Sequence, residues 1–293
     1  MLPETFTPTL LKQLELMKIR SKRRFLGTKQ GGHVSLRKGH GIEFSDYRKY
    51  SPGDNPRHID WGVYARSDRL YVKRFQEEEN IAVLILIDGS NSMRAVANDK
   101  KWEKARDIAI ALAYTALMDQ DKVIICPIGG EFLPPFDAPS QIHTMADLID
   151  SSTFKKNPDM VRITKQAAAR IRFPGKAVVI SDFLFELNRL EEMFAVLLAK
   201  NLDITAIQVL GNFDLNPHRL GSHATLEDGE TEDVLGVSFS EENIELYRDA
   251  LNIHIESIQN YFYRSDIRYV STLGTDSLSS FVLEGLTAIG LVG

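Results

Sequence analysis

A single cysteine, Cys126, stands in 293 residues. That excludes an internal disulfide framework and any cysteine-built zinc cage within one chain, and it fits a reducing compartment. Long apolar runs are missing too. The longest, residues 81–87 and residues 105–113 with the charged Asp107 inside, fall short of the ~20 residues a bilayer span needs. The opening Met1-Leu2-Pro3-Glu4-Thr5 lacks the basic start and apolar stretch of a secretory signal. With 19 Gly and 11 Pro, and no repeat or low-complexity tract, collagenous, disordered and solenoid classes are excluded. These absences predict a cytoplasmic chain with no membrane span.

What is present is an ordinary globular composition, 43% hydrophobic and 26% charged. The length predicts one large domain plus an accessory region, or two modest domains. Charge is unevenly spread. Residues 1–76 carry 16 Lys and Arg against 7 Asp and Glu, and the remainder carries 19 against 33. The basic end suits either nucleic acid or the acidic remainder of the same chain. The run at 18–24 lacks interleaved aromatics and a nucleic-acid fold signature, so the intramolecular reading is preferred and nucleic acid is not an expected partner.

Three segments follow. Residues 1–27 read as an amphipathic amino-terminal helix over 8–25, with Leu10, Leu11, Leu14, Leu16 and Met17 at mostly helical spacing. Residues 28–76 read as an accessory β region of short strands and turns, joined by a hairpin insertion at 211–240. From 77 to 293, continuous apolar strands alternate with helices. That pattern predicts an α/β fold: an open, mostly parallel, Rossmann-like sheet with helices on both faces. Strands are expected near 81–87, 122–128, 176–180, 204–210 and 267–270. Helices are expected over 102–117, 141–149, 159–172, 189–200, 241–263 and 276–289.

In such a sheet, ligands bind outside the carboxyl ends of the strands. The first strand ends in Asp88-Gly89-Ser90-Asn91-Ser92, the third in Ser181-Asp182. Two serines at alternate positions after a strand can turn to one side, and Asp88 and Asp182 supply charge directly or through water. Oxygen ligands of this kind suit a small hard cation, Mg²⁺ first, with Mn²⁺ or Ca²⁺ as alternatives. Two carboxylates among neutral hydroxyls leave the ion under-compensated, so it can accept a carboxylate from another protein. An Asp after an apolar strand with nearby Ser also fits a metal-dependent phosphoryl-transfer hydrolase, the alternative function. Against it, Ser90 stands where haloacid-dehalogenase-like enzymes put their second Asp. A serine nucleophile is disfavoured, because Ser90 lies in no Gly-x-Ser-x-Gly elbow.

Asp-x-Ser-x-Ser at one strand end, an Asp at another and the alternating β/α rhythm resemble the von Willebrand factor A fold and its metal-ion-dependent adhesion site. Upstream stand Gly39-His40-Gly41-Ile42-Glu43-Phe44, Arg48-Lys49-Tyr50-Ser51-Pro52-Gly53-Asp54, Arg57-His58-Ile59-Asp60-Trp61 and Ala65-Arg66. With Asp88–Met93 and Ser181-Asp182-Phe183, these are similar to the prokaryotic "domain of unknown function 58" family, often encoded beside MoxR-type AAA+ ATPases. The resemblance implies a non-catalytic, metal-bearing interaction module whose partners are a MoxR-type ATPase and an acidic-residue-bearing protein. Its adhesion-site ligands map onto Asp88, Ser90, Ser92 and Asp182. The family's remaining ligand is a Thr before the third strand, commonly within Gly-Thr-Asp. This chain has Ser151-Ser152-Thr153 there, so Thr153 is the candidate and Ser152 its alternative. Glu43, Arg48, Asp54, Arg57, Asp60 and Trp61 are the upstream motif candidates, read as an internal charge network before an interface.

Overall fold

A computed structural model describes residues 2–20, 43–76, 81–155, 158–171, 175–217, 223–227, 234–238 and 240–293. The chain divides into two compact units, one of Met1–Lys22 with Ile81–Gly293, the other Arg23–Asn80.

In the smaller unit, β1 (Glu43–Lys49) pairs antiparallel with β2 (Tyr71–Gln76), with a register shift between Phe44 and Asp46. Between them lies a short helix, α2 (Trp61–Ser67), where the sequence reading has only strands and loops. Asp60 starts it by accepting from the Gly62 and Val63 N–H groups at 2.9 and 3.0 Å, satisfying two of the donors a helix leaves open.

The larger unit is built on five strands: β3 (Ala82–Asp88), β4 (Lys122–Ile128), β5 (Gly175–Ser181), β6 (Asp203–Leu210) and β9 (Arg268–Leu273). They form one parallel sheet in the order β4-β3-β5-β6-β9. Each is an uninterrupted apolar run because both faces of the sheet are covered. Strand alternation then sorts the side chains. Val83, Ile85, Ile87, Val178, Ile180, Ile207 and Val209 face one core, while Leu84, Leu86, Ala177, Val179, Ile204 and Ala206 face the other.

The first core is closed by α1 (Pro8–Leu16), α4 (Lys101–Met118), α5 (Ile142–Asp150) and the chain's last turns. The second is closed by α6 (Met160–Ala169), α7 (Leu187–Ala199) and α9 (Glu241–Arg264). Helices on both faces of a parallel sheet make this an α/β, Rossmann-like fold with small antiparallel additions. No described helix is long and apolar enough to cross a membrane.

Two further elements differ from the sequence reading. Helix α1 stops at Leu16, because residues 17–20 leave the helix to meet the chain's end. Ile19 bridges Val292, Lys18 exchanges backbone bonds with Gly293, and Arg20 N–H donates to the Leu291 carbonyl. The expected hairpin forms, β7 (His223–Glu227) pairing antiparallel with β8 (Val234–Ser238). The last helix is interrupted by a π-turn at Phe281–Gly285 between short α segments Leu278–Ser280 and Leu286–Ala288.

Candidate functional site

The chain runs from β3 to β4 on one side, then crosses back to β5 on the other, so the strand order reverses between β3 and β5. Such a reversal opens a crevice at the carboxyl ends of the two strands. Ile87 is paired with Ile180, which brings the next residues, Asp88 and Ser181, side by side.

Asp88 is fully buried there. Its Oδ1 accepts from the Ser90 N–H at 2.9 Å and its Oδ2 from the Ser181 hydroxyl at 2.5 Å. Ser181 in turn accepts from the Phe183 N–H at 2.9 Å. Burial, and then the nearby Asp182 carboxylate, push the Asp88 pKa up to about 6, against the pull of its serine partners.

The turn after β3 closes tightly into the short helix α3 (Asn91–Arg94). A Cβ at Gly89 would run into the Phe154 ring and the Ile128 carbonyl, so only glycine admits this approach. Arg94 holds the turn from outside, its Nε donating to the Gly89 carbonyl at 3.1 Å and its guanidinium lying 4.7 Å from the Phe154 ring centre. The Ser90 and Ser92 hydroxyls end up 3.0 Å apart.

Asp182 is buried beside this pair of strands. Its Oδ1 accepts from the Leu184 N–H at 3.1 Å, and its Oδ2 from the Lys101 ammonium at 2.9 Å. The same ammonium donates to Asp214 Oδ2 at 2.8 Å, and that oxygen also accepts from the Gly211 N–H at 2.7 Å. Asp214 lies in the short α8 (Asn212–Leu215) that follows β6. Burial raises its pKa despite Lys101. Burial alone would lower the Lys101 pKa, but Asp182 and Asp214 outweigh it and hold the ammonium above its ordinary value.

The structure therefore gathers Asp88, Ser90, Ser92 and Asp182. Thr153 is exposed, next to the Phe154 that covers Gly89, and makes no hydrogen bond to the cluster; Ser152 spends its hydroxyl on the Leu148 carbonyl at 3.0 Å. Lys101 and Asp214 were missed by the sequence reading. Asp214 has a signal there, as a carboxylate just past another strand end. Lys101 has none, since Lys100-Lys101 reads as a solvated charge pair.

Mg²⁺ binds oxygens at about 2.0–2.1 Å, so adjacent octahedral ligands stand roughly 2.9 Å apart. The serine hydroxyls match that edge, and the neutral, hard donor set suits the ion. Ser90 and Ser92 would be its direct ligands, with Asp88 supplying charge behind them. Asp182 fits less simply, because an ammonium already holds it. Among the described residues no group of three His, Cys, Asp or Glu converges.

In the smaller unit, Arg48 pairs with Asp54 at 2.6 Å, and the Tyr47 hydroxyl donates to Asp60 at 2.8 Å. The Asp54 pKa lies below its ordinary value, held first by the Ser51 N–H and then by Arg48. Arg57 is exposed on the turn Pro56–His58, and Glu43 opens β1 opposite Gln76. Trp61 is 60% exposed, edge-on to Tyr64. Of the basic run, Lys18 and Arg20 are described, and Lys22, Arg23 and Arg24 lie outside the described residues.

A parallel α/β sheet with an oxygen-rich cluster at its reversal point defines the class: a Rossmann-like protein with a strand-end site. The chain belongs to the family described as "Protein of unknown function DUF58", whose model matches residues 46–254. It is similar to proteins of Mycobacterium bovis and Mycobacterium tuberculosis, both described as uncharacterized, each 28% identical over 233 residues, 76% of this chain and 72% of the relative. Two solved structures match more remotely. One is the conserved hypothetical protein BatB from Bacteroides thetaiotaomicron, with 15% identity, TM-score 0.43, and 72% of this chain and 98% of that one covered. The other is an aerotolerance-related membrane protein from Bacteroides fragilis, carrying multiple mutations to serine, with 16% identity, TM-score 0.42, and coverage of 72% and 96%. Likeness at that level says nothing of function.

Proposed function

We propose that this protein is a non-catalytic interaction module whose strand-end cluster works as a von Willebrand factor A-like adhesion site. It holds a divalent cation, Mg²⁺ first, and through the ion engages a carboxylate of a partner protein. The observation that carries this reading is the Ser90–Ser92 hydroxyl pair, 3.0 Å apart at the sheet's reversal point, beside a buried Asp88. Neutral hydroxyls leave an ion its positive charge, and that charge is what binds a partner's carboxylate. The family resemblance supplies the other partner, a MoxR-type AAA+ ATPase, which would remodel the complex so formed.

Calorimetric titration of Mg²⁺ into metal-stripped wild type and Asp88→Asn, with circular dichroism as the folding check, tests the site. Saturable binding in wild type and none in the variant is the expected result. Equal binding in both, or none in wild type, overturns the reading.

A further inference from the structure

Lys101 is the unusual feature of the strand-end cluster. Its side chain is 3% exposed, yet it carries a charge that no water shell stabilises. It opens α4 from the left-handed Lys100, so its position is set by the helix start and not by a flexible surface arm. Its ammonium reaches across 81 residues to Asp182 and 113 to Asp214, binding both within 2.9 Å.

Each of those carboxylates is otherwise committed to backbone N–H groups, Asp182 to Leu184 and Asp214 to Gly211. Lys101 is thus the charge partner of the strand-end Asp182 and joins it to the segment after β6. That segment is held in turn by the Tyr247 hydroxyl of α9, which donates to the Asp214 carbonyl at 2.8 Å.

We infer that Lys101 is a built-in competitor for the divalent ion: the ammonium occupies the Asp182 carboxylate, so tight ion binding requires the Lys101–Asp182 bridge to open. The inference rests on the adhesion-site reading and concerns how that site is filled. An ion seated on Ser90 and Ser92 needs negative charge from Asp182, and an ammonium already on that carboxylate repels a second cation. Lys101 is a positioning residue in this account and touches no ligand itself. With Lys101 in place, Asp182 and Asp214 share one cation without metal; without it, they face one another with no cation between them and a divalent ion is the best available partner.

The test is Mg²⁺ affinity by calorimetry, together with the Mg²⁺-induced rise in Tm, for wild type, Lys101→Met and Lys101→Arg. Lys101→Met is expected to bind Mg²⁺ about tenfold tighter or more, with a larger Mg²⁺-induced rise in Tm than wild type. Lys101→Arg, which restores the cation, is expected to return both readouts toward wild type. If Lys101→Met does not fold without metal, Lys101→Met/Asp214→Asn removes one charge of each sign, leaves Asp182 unoccupied, and should show the same tightening. Wild-type affinity, or weaker, in the folded neutral variants while wild type binds saturably overturns the competitor role and leaves the adhesion site standing. No binding in wild type or any variant removes the site and this role with it.

Discussion

The two ends of the central sheet handle buried charge in opposite ways. At the amino ends of the strands, Asp203 takes two cations at once, Lys176 at 3.1 Å and Arg268 at 3.0 Å, and the fully buried Lys176 adds the Arg20 carbonyl at 2.6 Å. At the carboxyl ends one ammonium serves Asp182 and Asp214, with Asp88 close by and raised toward neutrality. The first arrangement is closed and ties the amino-terminal segment to the sheet. The second has carboxylate in excess, the charge balance that the proposed cation site needs. Burial is common to both ends of the sheet; the balance of charge is what separates them.

Breaking the closed end gives the largest expected effect. Asp203→Ala takes the shared carboxylate away from Lys176 and Arg268 in the interior, and loss of one member of a buried charge network costs about 3–5 kcal/mol. Urea denaturation at pH 7 measures it; a cost under about 1 kcal/mol would show that the network contributes little.

A smaller effect sharpens the comparison at the same end. Asp121 precedes β4, is 5% exposed, and accepts from the Ile81 N–H at 2.9 Å. Burial pushes its pKa up to about 7 from an ordinary 3.8, with Asp119 adding to the rise. The folded state thus holds a proton that the unfolded chain releases above pH ~4. Stability from this group is present below that value, declines as pH rises toward 7, and is gone above it. Asp121→Asn keeps the acceptor and removes the charge. It should raise stability by roughly 2 kcal/mol at pH 8 and by little at pH 4, read from Tm against pH. An equal gain at both values would assign the effect to something other than titration.

The smallest effect belongs to the exposed aromatic of the smaller unit. Trp61→Ala should change stability by no more than about 0.5 kcal/mol, because the ring is mostly in water. A loss above about 2 kcal/mol in urea denaturation would mean that the ring is covered in solution.

The sheet was legible in the sequence because strands buried on both faces are unbroken apolar runs, as in residues 81–87 and 204–210. The turn holding Asp88, Ser90 and Ser92 was legible for a local reason: side chains two residues apart need no knowledge of the rest of the fold. Lys101 was hidden by distance, and so was its link to Asp214, a carboxylate visible just past β6, since that link exists only after α4 and α8 are brought to the end of β5. Helix α2 was hidden by its size, seven residues with Gly62 inside and no buried face to impose a period. Helix α1 was overextended because Met17 and Ile19 continue a helical spacing. Their pairing with the last residues of the chain decides otherwise, and tertiary contact overrides propensity.

Helix α1 also has a place in time. Its partners lie far along the chain: Thr5 hydrogen-bonds Asp107 across 102 residues, and Glu15 accepts from Tyr114 across 99. The ribosome adds about 5–20 residues per second. Leu10 and Leu14, buried in the finished protein, therefore wait roughly 5–20 s after synthesis before α4 exists to cover them. During that interval the apolar face of α1 has no α4 to pack on, and it is open to a nascent-chain chaperone.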